Sequence, residues 1–320
     1  MKPSTFLSKV LATAVLATAS AFLFNACDSA NANVRFGSGN KGGLYDTFAT
    51  TFAEKINGAG KTFKIQPKNT AGSHANIRLM EEGFIDLGIV QADILKDHLM
   101  RSRKVSAISA VAGLYTESIQ IVVSADSEIR TVADLQNRHV SVGEEESGVL
   151  RNAEIILEAY GITFEKIQKE NLNFKDAAAA LREGRIDAFF CTAGIPTPSI
   201  SELSANKNIR IISLDSADMT RIMNLHPELT VSEIPANTYA GQDSAVQTLG
   251  AKAVLVASQL LDSATVAKIT EEIFTVGAQQ TVGIPVGFHP GAAAVYKTKN
   301  MNVEIAAPLP GRGPIPSTGD

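Results

Sequence analysis

The 320-residue sequence has no tryptophan, and aromatic residues make up only 6% of it. That disfavours the stacking platforms on which single-stranded nucleic acids are held. A basic excess is missing too. Lysine and arginine number 29 against 33 aspartates and glutamates, a net charge of −4, so no nucleic-acid partner is expected. Cysteine is nearly absent. Of the two, Cys27 follows an N-terminal apolar run and Cys191 stands alone. With Cys27 lipidated or removed, no internal disulfide can form, and stability must come from core burial, which a chain of this length can supply. Catalytic constellations are also missing. Neither a G-x-S-x-G elbow nor H-E-x-x-H occurs. His74, His98, His139, His226 and His289 are scattered, never at metal-ligand spacing. No catalytic residue, metal or cofactor is expected, and the chain does not read as an enzyme.

What is present begins with an export signal. MKPSTFLSKV carries Lys2 and Lys9, LATAVLATASAFLF is apolar but too short to span a bilayer comfortably, and NAC follows. Residues 1–26 therefore read as a leader. Cleavage before Cys27 would leave a lipidated cysteine and a membrane-tethered protein. Cleavage after Ala32, in Ala30-Asn31-Ala32, would leave a free one. The end of the apolar run close to Cys27 favours the lipoprotein, although Phe24 and Asn25 fit the usual lipobox imperfectly. Either way the protein is exported, to the periplasm or the cell surface.

The mature chain alternates strand and helix patterns, which argues for α/β architecture with largely parallel sheets. Tyr45, Phe48, Ala49, Phe52 and Ile56 form a helical stripe. TFKIQPKN, IDLGIVQ, ESIQIVVSAD, HVSVG and IDAFFCT read as strands. An echo runs through it. Glu82-Gly83-x-Ile85-Asp86 matches Glu183-Gly184-x-Ile186-Asp187, each joining a helix to a buried strand. The glycines suit left-handed helix caps. Two copies suggest two lobes of like construction, with the strand-end residues Gln91 and Thr192 facing one cleft. After residue 240 the pattern returns to a strand and helices that complete the first lobe. The lobes are expected at 34–121 plus 253–305 and at 122–252. The segment 306–320, rich in proline and glycine, reads as an uncompacted extension.

Gly37, Gly39 and Gly42 spell G-x-G-x-x-G, but the acidic residue a dinucleotide site needs at the end of the next strand is missing. Small and polar residues instead gather at strand ends and helix starts. They are Gly42, Gly43 and Tyr45; Thr70, Gly72 and Asn76; Gln91; Ser147 and Gly148; and Thr192 and Gly194. Helix N-termini suit carboxylates, glycines allow close backbone approach, and amides and hydroxyls fix orientation. This is equipment for holding a small polar molecule rather than transforming it.

The stretches GSGNKGGLYDTFATTFAEKIN, NTAGSHANIRLMEEGFIDLGIVQADIL, IQIVVSADSEIRTVADLQNRHVSVGEEESG, LREGRIDAFFCTAGIPTPSISELS, IPANTYAGQD and VGFHPGAAAVYK resemble, in this order, the substrate-binding subunits of TRAP transporters of the TAXI (TRAP-associated extracytoplasmic immunogenic) type. The resemblance covers nearly all of residues 34–298. It implies a two-lobed, type II periplasmic-binding-protein fold that closes on a small organic acid or an amino acid such as glutamate. It also implies partnership with TRAP permease membrane subunits driven by an ion gradient. The family's ligand-contact regions fall on the residues just named, and the resemblance extends the last of them, the loop from Thr192, to Pro196. One departure is the acidic run Glu144, Glu145 and Glu146 before Ser147-Gly148, where the family usually has small residues or proline. Facing the cleft, a carboxylate there would repel an anion and favour an amino group; facing solvent, it would only sit near a helix N-terminus. A binding protein for an ATP-driven importer or a sensor system remains the alternative.

Overall fold

The computed structural model describes residues 32–310 apart from 61, 103–105 and 278. The leader, Cys27 and residues 311–320 lie outside the described residues. The chain opens with β1 (Ala32–Gly37), α1 (Leu44–Gly58), β2 (Phe63–Lys68), α2 (Ser73–Glu81), β3 (Leu87–Gln91) and α3 (Ala92–Arg101). A long strand, β4 (Ile108–Ser124), leads to β5 (His139–Ser141), α4 (Gly148–Ala159), β6 (Gln168–Glu170), α5 (Phe174–Glu183) and β7 (Ala188–Ala193). Next come α6 (Pro198–Asn206), β8 (Ile209–Ile211), α7 (Ser216–Leu225) and β9 (Thr230–Ile234). A second long strand, β10 (Val246–Ser258), returns to α8 (Ser263–Thr275) and α9 (Pro290–Thr298).

The helices form where the apolar period demands it. In α1 Tyr45, Ala49, Phe52, Ala53 and Ile56 are buried, the stripe that a period of 3.6 places on one face. Phe48 stacks on Phe52 with ring centroids 5.5 Å apart and meets Phe36 edge-on at 6.5 Å.

The strands follow the order β2-β1-β3-β10-β4-β7-β5-β6, with β8 beside β4 and β9 beside β10. Pairs β1–β2, β1–β3, β5–β6 and β5–β7 are parallel, whereas β4 and β10 run antiparallel to each other and to their outer neighbours. Two separate cores flank this open sheet. One gathers residues from Val34 to Leu114 and from Ala253 to Tyr296. The other gathers residues from Ile119 to Ala251. The chain is thus α/β with two lobes, joined through β4 and β10, whose register shifts between Lys252 and Val254. Ile119 and Ile121 belong to the second core, so β4 leaves the first lobe before residue 121. Its early half, Ile108–Thr116, was not evident as a strand in the sequence.

The repeated cadence has a structural cause. Gly83 and Gly184 have φ of 76° and 73°, the left-handed turn that ends each helix. The aspartate that follows ties each strand to its parallel neighbour. The Arg35 N–H donates to Asp86 Oδ2 and the His139 N–H to Asp187 Oδ2, both at 2.8 Å. In return the Asp86 and Asp187 N–H groups donate to the Arg35 and His139 carbonyls at 2.9 and 2.8 Å.

The C-terminal helices complete the first lobe. Tyr296 is fully buried, edge-on to Phe274 and Phe288 at 5.1 Å each. The Ala306 N–H donates to the Phe288 carbonyl at 2.9 Å. The segment expected to be an extension from 306 therefore starts docked, because that pairing satisfies a backbone group beside the core. Gly291 packs against the start of α8: a methyl group there would overlap the Ser263 carbonyl oxygen and stand 3.0 Å from its carbon. Gly291→Ala is expected to destabilise the protein by about 1–3 kcal/mol, the usual cost of overpacking, read as a lower urea midpoint at unchanged slope.

Candidate functional site

Where the two cores part, the chain leaves a small cavity of about 20 Å³, enough for a water-sized molecule, so the lobes stand closed here and must part to admit a solute. Four helices begin on its wall. Gly43 and Leu44 open α1, Gly72 and Ser73 open α2, Gly148 and Val149 open α4, and Phe174 opens α5. The first N–H groups of a helix have no intrahelical partner and carry partial positive charge. From the strands come Gln91 at the end of β3, Glu117 on β4 and Thr192 on β7.

Glu117 is 2% exposed, and the Tyr45 hydroxyl donates to its Oε2 at 2.6 Å. Burial pushes its pKa up to about 8, with the nearby Asp93 adding to the rise and hydrogen bonds from Tyr45 and Gln91 opposing it. Burial likewise raises Asp93 to about 6, against a hydrogen bond from Asn152. The hydroxyls of Tyr45 and Tyr115 are pushed well above the ordinary tyrosine range, first by burial and then by the field of Glu117.

The lobes are drawn together around this space. Gln91 Nε2 donates to Asn152 Oδ1 at 3.1 Å, and Asn152 Nδ2 donates to Asp93 Oδ2 at 2.9 Å. Asn40 Nδ2 donates to the Glu144 carboxylate. Arg78 grips Glu146 with two bonds of 2.7 and 2.9 Å, while the Ala75 N–H donates to the Glu146 carbonyl at 3.0 Å. The acidic run therefore serves contacts between lobes: neither Glu144 nor Glu146 lines the cavity, and Glu145 is exposed.

Of the residues expected at the site, Gly43, Tyr45, Gly72, Gln91, Gly148 and Thr192 line the cavity. The others stand outside it. Gly42 lines a separate surface groove, its carbonyl accepting the Ser199 N–H at 3.3 Å. Thr70 donates to Asn76 Oδ1 at 2.7 Å, and Asn76 Nδ2 donates to the Ile89 carbonyl at 2.9 Å, so this pair fixes the loop to the sheet. Ser147 caps α4, its hydroxyl accepting the Leu150 N–H at 3.1 Å. Gly194 backs onto Leu44 and Tyr115. Pro196 is exposed. The loop holding both is anchored by a buried chain that the sequence did not suggest: Tyr239 donates to Gln120 Oε1 at 2.6 Å, and Gln120 Nε2 donates to Thr197 Oγ1 at 2.9 Å. His74 leans on the Ser147 carbonyl at 3.4 Å, with its pKa lowered by burial. Cys191 is fully buried and its thiol pushed up by burial, the environment of an inert packing residue.

The arrangement can hold and enclose a polar molecule. Among the described residues no His, Cys, Asp and Glu cluster could hold a metal ion, and no helix is long and apolar enough to cross a membrane. The profile of the NMT1-like family matches residues 36–299. The chain belongs to the NMT1-like family. Among solved structures, this NMT1-like chain is similar to a protein of Bordetella bronchiseptica RB50, with TM-score 0.53, 17% identity, and 88% of this chain and 86% of that one covered. It is similar to a full-length BenM mutant, with TM-score 0.54, 13% identity, and coverage of 88% and 80%. A weaker likeness joins it to the periplasmic aliphatic sulphonate binding protein SsuA from Escherichia coli, with TM-score 0.44, 17% identity, and coverage of 84% and 75%. At such identities the likeness concerns the fold, which is the two-lobed, type II periplasmic-binding-protein architecture.

Within this NMT1-like chain, sequence reasoning missed Glu117, Asn40, Ser73 and Asn152. Glu117 left one signal: it is the sole charged residue in the 17 residues of β4.

Proposed function

We propose that the protein is an exported receptor whose two lobes close on a small polar solute and present it to a membrane permease. The observation that carries this reading is the cavity between the lobes, walled by helix starts and closed over by hydrogen bonds that run from one lobe to the other. The chemistry of the wall agrees. Among the described residues, no hydroxyl or thiol lining the cavity is hydrogen-bonded to a histidine that would activate it. Binding, not turnover, is what such a wall performs. Membership of the NMT1-like family and the periplasmic-binding-protein fold support the same reading.

The finer reading is a TAXI-type receptor for a TRAP permease, with an amino acid or small organic acid such as glutamate as the solute and Cys27 as a lipid anchor. The ordered set of six stretches from residue 37 to residue 297 supports it. Closure of the lobes provides the signal, because only a closed pair presents both lobe surfaces to a partner in fixed register.

Native mass spectrometry of the mature protein, retaining any co-purified molecule, tests the receptor reading. In the same preparation Gln91→Ala is expected to weaken binding about tenfold or more, since it strips a buried amide from the cavity wall and leaves Asn152 short of a partner. The melting curve should stay cooperative. Unchanged affinity in a calorimetric titration would remove Gln91 from the site. Uptake by whole cells tests the permease: a TRAP partner predicts uptake that an ionophore abolishes and ATP depletion spares.

A further inference from the structure

The cavity is rich in acceptors that nothing in the protein satisfies. Gln91 Oε1 from the first lobe and Thr192 Oγ1 from the second are buried and have no hydrogen-bond partner; the two residues are 2% and 4% exposed. Both line the same space as Glu117, whose carboxyl receives the Tyr45 hydroxyl. Five groups face that carboxyl, four from other elements and one from its own strand: Tyr45 on α1, Gln91 on β3, Asp93 on α3, Cys191 on β7 and Tyr115 on β4 itself. None is a cation. Among the described residues, no lysine, arginine or histidine lines the cavity. A buried carboxylate without a positive partner is costly, and unpaired buried acceptors add to the cost. An arriving ammonium group removes both defects at once, because it brings a charge and three donors. A solute that brought only negative charge offers no donor to Gln91 Oε1 or Thr192 Oγ1 and nothing to offset the ionisation of Glu117, so it leaves these acceptors unpaired.

We propose that Glu117 is the specificity-determining residue of the cleft, reading an ammonium group, so that the receptor takes amine-bearing solutes such as α-amino acids and rejects plain carboxylates and sulfonates of the same size. The proposal rests on the reading of this cavity as a solute site. Gln91 Oε1 and Thr192 Oγ1 are the further acceptors for that ammonium. The carboxylate of a zwitterion has its own place against the free N–H groups at the starts of α1, α2 and α4, each a helix of nine residues or more. The site thus provides for both ends of an amino acid while using no basic side chain.

A second consequence separates this role from a structural one. In the empty closed cleft, burial holds Glu117 protonated up to about pH 8. A bound ammonium favours the ionised carboxylate, so binding at pH 7 expels up to about one proton.

The test is calorimetric titration of the mature protein with L-glutamate, L-glutamine and L-alanine, each beside its counterpart lacking the amino group (glutarate, glutaramate, propionate), and with ethanesulfonate. We expect at least one amino acid to bind about 30-fold or more tightly than its counterpart, as for loss of one partner of a buried charge pair. Its binding heat should vary with the ionisation enthalpy of the buffer in the sense of proton release. Glu117→Gln should weaken that amino acid by a similar factor and abolish the release. Should the variant fail to fold, the comparison of matched solutes on the unmodified protein decides alone. A counterpart or a sulfonate that binds as tightly as the amino acid, or binding without proton release, overturns the role of Glu117 and leaves the receptor reading standing. If nothing in the series binds and nothing co-purifies, the receptor reading falls and this inference falls with it.

Discussion

Gly148→Ala is expected to yield a protein that folds normally and no longer closes. The methyl group would overlap Gln91 Oε1, stand 2.6 Å from its Cδ and approach Ser73 Oγ to 3.1 Å. All three atoms belong to the opposite lobe. Gln91 can withdraw only by releasing Asn152 and swinging into the space the solute needs. Neither core is touched, because Gly148 lies at the first residue of α4, against the other lobe. The fold of each lobe should therefore survive, while the closed state is penalised by the cost of overpacking, roughly 1–3 kcal/mol, or about five- to 150-fold in affinity. Calorimetric titration reads the loss, and small-angle scattering should show no compaction on adding solute. Coupling gives a stricter check: if the clash is the cause, Gly148→Ala should cost much less in a Gln91→Ala background. Additive costs would place the defect elsewhere.

The empty protein should also lose stability as the pH rises from about 6.5 to about 8. Glu117 has its pKa raised from 4.5 to about 8 in the folded chain, and Asp93 from 3.8 to about 6. Between the ordinary and the raised values the folded state binds more protons than the unfolded state. Unfolding free energy then falls with pH. The contribution is fully present below the ordinary carboxylate value, is lost as pH passes through the raised one, and is flat above it. Below about pH 6.5 an opposite slope interferes. Burial lowers His289 from 6.5 to about 4 and lowers His74 as well, so these groups favour folding as they deprotonate. Above that point Glu117 acts with little opposition, at up to about 1.4 kcal/mol per pH unit, or about 2 kcal/mol across the interval. Urea midpoints at half-unit steps measure it, and Glu117→Gln should flatten the line. A flat line for the unmodified protein would sink the prediction and show Glu117 in water when the cleft is empty.

Much of the architecture was legible because it is local. Helix stripes, strand ends and the left-handed turns at Gly83 and Gly184 are set by residues a few positions apart. The Ile-Asp echo even marked a real device, the aspartate clamping a neighbouring strand. The passage of β4 between lobes was not legible. Ile108–Thr116 mixes apolar residues with serine, glycine and alanine, which have little strand preference, and the partner that makes it a strand is β10, more than a hundred residues away. Site residues divided along the same line. Those at helix starts and strand ends could be found because turn chemistry and binding chemistry coincide there. Thr70 and Asn76 were misplaced by that coincidence, since hydroxyls and amides satisfy local backbone as readily as a solute. Glu117 was missed because a carboxylate within a strand becomes part of a cleft only where the chain changes lobes.

That position has a kinematic meaning. Two lobes joined by a pair of strands turn about an axis near the strands' midpoint, and points near an axis barely travel. Glu117, paired in register with Ala251 between the two cores, lies near that axis. The Arg78–Glu146 ion pair lies far from it, with side chains nearly half exposed at the rim. An arriving solute thus meets its ammonium reader already in place, before the lobes have moved. The rim contacts form last, and they report that the reading has been accepted.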